Sequence, residues 1–382
     1  MVPRDGNPPV GEPLGPREIR HNLARGTDHP LNALVAWSHR GMAPSGSVLR
    51  RDQVHPPSFS KRHDTMRNTE SSDLTFVPRQ QGSFAARRSG PWLVALATLL
   101  LPVPVVGQGQ TVSVSIPSAG AMMRGTVHVG EGPAPRATVL LFPGLASRGE
   151  EVLGLGAALS AAGMNVVMFA PRGWHDSGGT FTFTGAIDDG QAAFDWLHGE
   201  EVVHRFGVDI QRVSVGGYSF GASTVLAFAA QEPRVRRLFS IAPTDHYEMA
   251  LRVREDDAYR TSVQTALGPT FGESGPIRVE WIGEDPNDLT EFWREFLEDR
   301  ERFWLPALAP GLRDRSLLLV SGLDDANVVI PQLEGMHLPL YRALRELGAT
   351  DVRFRLFEDG HAFSSSRAEL VEALLDWLQG WE

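Results

Sequence analysis

The chain has 382 residues, no cysteine and a formal net charge of −10, with 42% hydrophobic residues. Disulfides, thiolate nucleophiles and cysteine-based zinc sites are excluded, and no apolar span is long enough for a multi-pass membrane protein. Charge is uneven: residues 1–90 hold 13 basic and 8 acidic side chains, so the remaining 23 basic and 38 acidic leave the body at −15, which argues against nucleic acid as a partner because phosphate binding needs a basic footprint.

Residues 1–90 show neither a helical nor a strand period and are rich in Pro, Gly, Arg and His. Such a segment buries too little surface to offset its ordering entropy. It is expected to be a disordered or spurious extension, with Met66 as an alternative start. Arg87-Arg88-Ser89-Gly90 then leads into an apolar run from Pro91 to Gly107. The basic flank, apolar core and small-residue exit form a signal-peptide-like segment over 91–109. The run is too short and proline-broken for a stable spanning helix. Acting as a signal, it implies a periplasmic or extracellular protein; left uncleaved, it would be an N-terminal signal anchor and the sole membrane element expected. The alternative is a buried strand or helix of the fold and a cytoplasmic protein.

Residues 110–382 read as one domain. Thr111–Ile116 and Arg124–Val129 alternate apolar and polar residues, as edge strands do. Ala137–Phe142 and Asn165–Phe169 are apolar apart from Thr138 and Asn165 and read as buried strands, as expected where both sheet faces are covered. Between them a helix is expected, with Ser147 and Glu150 as a capping box and Gly163 as its stop. A second helix is expected over about Ile187–His204. Further strands are expected at Arg212–Gly216, Val235–Ile241, Ser316–Val320 and Asp351–Phe357, and a final helix from a Ser366–Glu369 cap to about Leu378. Strands alternating with helices predict an α/β fold, a mostly parallel central sheet with helices on both faces.

Gly217-Tyr218-Ser219-Phe220-Gly221 lies where the strand at 212–216 meets the apolar helix Ala222–Ala230. A sharp strand-to-helix turn lifts the central side chain above the sheet in a strained conformation, and glycine leaves room where a Cβ would collide with neighbouring backbone. The helix N-terminus then faces whatever negative charge forms on a substrate. Ser219 is therefore the candidate nucleophile. Downstream, Gly322-Leu323-Asp324-Asp325-Ala326-Asn327-Val328 follows one buried strand and Asp359-Gly360-His361-Ala362-Phe363 follows the last.

With these three elements in this order, the chain over about 111–382 resembles the α/β-hydrolase superfamily. The resemblance implies a serine hydrolase with Ser219 as nucleophile, Asp325 as acid and His361 as base. It also implies an oxyanion hole from the backbone N–H groups of Phe220 and Leu145. The loop before Leu145 reads Pro143-Gly144 where a common family form has His-Gly; since the donor is main chain, the proline should not abolish it. Asp324 and Asp245 remain alternative acids. Tyr218, Asp245 and Trp293 are candidate pocket residues.

The segment of about 244–310 is expected to be a small helical cap. Asp288 and Glu291 suit a capping box, and the helix that follows carries Phe292, Trp293, Phe296 and Leu297 on one face. These aromatics either pack on the core or roof the pocket. His175 is expected to be structural. His198 and His204 lie six apart, off one helical face, and are read as a solvated helix end. No metal or cofactor is expected.

The substrate implied is a small-molecule carboxylic ester or a short peptide, cleaved through an acyl-enzyme. The alternatives are a stand-alone prolyl oligopeptidase-like peptidase, an acyltransferase, or a catalytically silent binding protein of the same fold. Dienelactone hydrolase chemistry needs a cysteine, and haloalkane dehalogenase chemistry needs an aspartate at the elbow.

Overall fold

The computed structural model describes residues 74–77, 109–272, 275–280, 290–325 and 336–380. The features expected at Pro91–Gly107, the 288–291 capping box, the Phe292 side chain and Val328 lie outside the described residues.

The strands are β1 (Leu74–Val77), β2 (Thr111–Ser118), β3 (Ala121–His128), β4 (Arg136–Phe142), β5 (Asn165–Phe169), β6 (Val208–Tyr218), β7 (Arg237–Ile241), β8 (Ser316–Gly322) and β9 (Val352–Phe357). Among the described residues they form one nine-stranded sheet in the order β1-β9-β8-β7-β6-β4-β5-β3-β2. All pairings are parallel except β2 with β3 and β3 with β5. The α/β class expected from the alternation of strands and helices is the architecture found.

Strand periodicity sets the two cores. Leu140 and Phe142 of β4 join one apolar cluster, whereas Val139 and Leu141 join the other, as side chains alternate across a pleated strand. Helices α2 (Phe183–Leu197), α4 (Phe220–Gln231) and α10 (His337–Glu346) contribute to the first cluster, and α1 (Leu155–Ala161) and α11 (Arg367–Gln379) to the second. A Leu at such a position contributes about 2–5 kcal/mol relative to Ala. The short helix α3 (Glu200–Phe206) leads into β6.

Between β7 and β8 the chain inserts α5 (His246–Glu255), α6 (Asp257–Leu267), α7 (Thr290–Glu298), α8 (Arg300–Phe303) and α9 (Ala309–Leu312). The Glu295 carboxylate of α7 accepts the Phe183 and Thr184 N–H groups at 3.0 and 2.5 Å. It thereby caps the N-terminus of α2, whose first N–H groups lack intrahelical partners. Phe296 sits 4.3 Å from Phe183, ring to ring, beside that contact.

Several local expectations are corrected. Ser147 and Glu150 do not cap α1, which starts at Leu155. Glu151 serves instead, accepting the N–H groups of Val152, Gly156 and Ala157 at 2.8–3.1 Å. The helix expected over 187–204 begins earlier, at Phe183 behind a Thr182 cap, and breaks where Gly199 turns extended. The Ser366 hydroxyl makes no cap bond but donates to Asp359 at 2.9 Å. Leu74–Val77 lies within the segment expected to carry no strand, yet pairs with Phe354–Phe357. Four β-prone residues suffice where an existing strand edge offers its N–H and C=O groups.

Candidate active site

The turn between β6 and α4 holds Ser219 at φ 56°, ψ −121°, a region costing a non-glycine residue about 1–3 kcal/mol. Its N–H donates to Ile241 O at 2.9 Å, and its carbonyl accepts from Ala222 N at 3.0 Å. The flanking glycines are dictated by contact. A Cβ on Gly217 would fall 2.1 Å from Gly221 O, and one on Gly221 would fall 2.3 Å from Phe142 O. Any larger residue would force the turn open.

Above the elbow, Ser219 Oγ lies 2.8 Å from His361 Nε2, and His361 Nδ1 lies 2.7 Å from Asp325 Oδ2. Asp325 is fully buried, and the His361 side chain is 10% exposed. A carboxylate only accepts, so Nδ1 carries the proton and Nε2 is free to accept from the serine hydroxyl.

Two strand ends meet to hold this line. Leu323 N donates to Phe357 O at 2.8 Å and Asp324 N to Asp359 O at 3.0 Å. The Asp359 carboxylate gathers the N–H groups of Gly360, Ser365 and Ser366 at 2.7–2.8 Å. Partial burial pushes its pKa up, but these bonds outweigh burial and hold it below the ordinary value. The Tyr218 hydroxyl donates to His361 O at 3.2 Å. Burial, then the Asp325 charge, push that phenol well above its usual range, so it remains a donor.

The other candidates are dispersed. Asp324, beside Asp325, is exposed. Asp245 is buried at the N-terminus of α5 and accepts Glu248 N and Leu305 N, both at 3.0 Å. Burial pushes its carboxyl up to about 7. It is a helix cap and a tie within the insertion. Trp293 packs inside the insertion, its ring 6.4 Å from Phe296, and Phe296 stacks on His246 at 4.8 Å. Tyr218 faces the His361 loop. Leu145 is the second residue of a turn closed by Ser147 N to Gly144 O at 3.1 Å. A Cβ on Gly144 would stand 3.6 Å from Ser219 Cβ, so that turn borders Ser219. Phe220 opens α4, where N–H groups lack intrahelical partners. His198 is not solvated as expected; it is half-buried, with Nδ1 2.7 Å from Phe194 O.

Against known proteins, residues 133–294 match the family model Hydrolase_4, described as serine aminopeptidase, S33. Among solved structures, two crystal forms of the Pyrococcus furiosus esterase Pf2001 each superpose with a TM-score of 0.50, at 16% and 17% identity. They cover 71% of this chain and 93% and 91% of theirs. The dipeptidyl peptidase 4 of Porphyromonas gingivalis has a TM-score of 0.49 and 16% identity, covering 72% of this chain and 36% of its own. The chain has the α/β-hydrolase fold, and its residues 133–294 are similar to the serine aminopeptidase family. A sequence search of curated proteins finds no match.

Among the described residues, no group of three or more His, Cys, Asp or Glu side chains could hold a metal ion. No helix among them is long and apolar enough to cross a membrane. Sequence reasoning had assigned no role to Asp359. Its position two residues before His361 was the available signal, since a short carboxylate readily accepts from the backbone just beyond it.

Proposed function

We propose that this chain is a serine hydrolase that cleaves carboxylic esters through an acyl-enzyme on Ser219. The observation that carries this is the continuous line from Ser219 Oγ through His361 to Asp325, at 2.8 and 2.7 Å. Free serine is a weak nucleophile, so His361 Nε2 takes the hydroxyl proton as Oγ bonds to the ester carbonyl carbon. Asp325 holds the ring in the tautomer that makes this possible and stabilises the imidazolium. The carbonyl oxygen, now negative, is received by the N–H groups of Leu145 and Phe220. The C–O bond to the alcohol breaks, and His361 returns the proton to the departing oxygen. Water then attacks the acyl carbon, gives a proton to His361, and the acid leaves as Ser219 regains its hydrogen.

Hydrolysis of a peptide from its free N-terminus is the second reading, favoured by the match to the serine aminopeptidase model. That activity calls for a carboxylate to receive the substrate ammonium. Two insertion carboxylates, Asp245 and Glu295, are already committed to backbone N–H groups, which supports the ester. In either case the 244–310 insertion is read as the cap over the site.

The test is fluorophosphonate labelling of the full chain, followed by turnover of p-nitrophenyl esters of increasing acyl length and of aminoacyl-p-nitroanilides. Ester turnover is expected, with labelling lost in Ser219→Ala. Asp325→Asn should lower kcat by roughly 10³–10⁴ through the wrong tautomer. Anilide turnover without ester turnover would reverse the assignment, and a folded protein that neither labels nor turns over would remove it.

A further inference from the structure

We infer that His175 is a positioning residue for the oxyanion hole, acting through two peptide planes on the N–H of Leu145. The inference rests on the proposed serine hydrolysis and adds a residue to it.

His175 Nε2 lies 2.6 Å from Ala146 O. A carbonyl oxygen only accepts, so Nε2 carries the proton and donates. The same atom carries a proton in the imidazolium, so this contact survives either charge state. Ala146 C=O is one end of the Ala146–Ser147 peptide plane. The other end, Ser147 N–H, donates to Gly144 O at 3.1 Å. Gly144 C=O is in turn one end of the Gly144–Leu145 plane, whose other end is Leu145 N–H. In a trans peptide the C=O and N–H point in opposite directions within a rigid plane. Holding Ala146 O therefore orients Ser147 N–H, which holds Gly144 O, which aims Leu145 N–H away from the turn. Each bond in such a chain also polarises the next.

The turn needs the support. Ala146 has φ +61°, at the position of a four-residue turn where glycine or asparagine is usual. His175 itself has φ +44°, again a conformation glycine adopts without steric cost. Two non-glycine residues in unfavourable backbone regions thus meet through one short hydrogen bond. A glycine at 175 would relieve the strain there but could not reach Ala146.

The backbone that carries the imidazole is also anchored. His175 N donates to Pro276 O at 2.7 Å and Arg278 Nη1 donates to His175 O at 2.7 Å. Trp174, its neighbour, is fully buried with its ring 5.5 Å from Phe220. The segment carrying His175 is therefore fixed independently of the turn it braces, as a brace must be.

The experiment compares wild type, His175→Gly, His175→Gln and Ser219→Ala in the full chain. It reads thermal midpoint, kcat and KM on a p-nitrophenyl ester, and the affinity of an alkyl boronic acid. A boronate becomes tetrahedral on Ser219 and places an oxygen where the oxyanion forms. Misplacing one donor by about an ångström costs on the order of 10²-fold, so His175→Gly is expected to lose at least about tenfold in kcat and in boronate affinity. KM and the midpoint should hold. His175→Gln, whose amide N–H reaches a similar distance, should restore much of kcat. Unchanged kcat in His175→Gly overturns the proposal alone, as does a loss in KM or midpoint only, or a His175→Gln as impaired as His175→Gly. A wild type with neither labelling nor turnover overturns the hydrolytic reading and this proposal with it.

Discussion

Gly322 and Asp359 touch: a Cβ on Gly322 would stand 2.5 Å from the Asp359 carbonyl oxygen. That approach brings the end of β8, which delivers Asp325, against the end of β9, which delivers His361. Gly322→Ala must push the two loops apart. Activity should fall on the order of 100-fold, because displacements of this size near a reacting group are that costly. Stability should fall by about 1–3 kcal/mol. Gly360→Ala is the control. Its Cβ would meet nothing closer than Asp324 O at 3.5 Å, so it should keep most of its turnover. Equal losses in the two variants would show that the loop contact is not what aligns Asp325 with His361.

Ser219 sits at φ 56°, and Gly217 and Gly221 on either side of it are packed too tightly for the turn to relax. Ser219→Gly and Ser219→Ala both lose the bond to His361, but only glycine also loses the strain. Denaturant titration should find Ser219→Gly more stable than Ser219→Ala by about 1 kcal/mol, the strain of about 1–3 kcal/mol less the extra unfolded freedom of glycine. An alanine variant as stable as the glycine one would mean that the elbow stores no strain.

Two buried histidines outside the line from Ser219 through His361 to Asp325 should govern acid stability. His246 and His337 are buried, and burial pushes each ring down to about 3 from an ordinary 6.5. His337 donates from Nε2 to Ser240 Oγ and accepts at Nδ1 from Ser321 Oγ, at 2.8 and 2.9 Å. Ser240 in turn donates to Ala222 O at 3.2 Å. Below pH 6.5 the unfolded chain takes up protons that the folded one refuses. The stabilisation is thus complete above about 6.5 and is lost as pH falls toward 3, at up to about 1.4 kcal/mol per pH unit for each ring. His246→Phe keeps the stack on Phe296 and removes one titrating group. Its midpoint should decline less steeply than wild type between pH 6.5 and 4, and parallel declines would refute the assignment.

Deleting residues 1–107 removes β1 and leaves β9 as the sheet edge. Ser219, Asp325 and His361 all lie beyond that boundary, so kcat should be retained. Hydrogen exchange should accelerate in Val352–Phe357, the strand that loses its partner. A truncated chain that fails to fold would refute a domain beginning near residue 110.

Much of this was legible in the residues themselves. The apolar runs at 137–142, 165–169 and 316–320 are strands because a parallel sheet covered on both faces leaves no polar side to mark. The elbow was legible because two glycines around a serine, between a strand and a helix, satisfy a local steric demand. Helix boundaries were less so. Ser147 and Glu150 have the spacing of a capping box, but Ser147 belongs to the turn beside Ser219, and Glu151, one residue on, takes the N–H groups.

By itself, the sequence determined the fold class, the strands from residue 111 onward and the order of Ser219, Asp325 and His361 at strand ends, since periodicity and sharp turns are properties of neighbours along the chain. Only the tertiary structure decided which of two adjacent aspartates meets His361. Asp324 and Asp325 are alike in type and spacing, yet one is exposed and the other fully buried against the imidazole. The direction of a side chain in an irregular loop depends on where its backbone is tied. Here the ties run to Phe357 and Asp359, more than thirty residues away. The same holds for Asp245 and His175, whose partners Leu305 and Ala146 are 60 and 29 residues distant, a separation at which no local pattern of residues reports on contact.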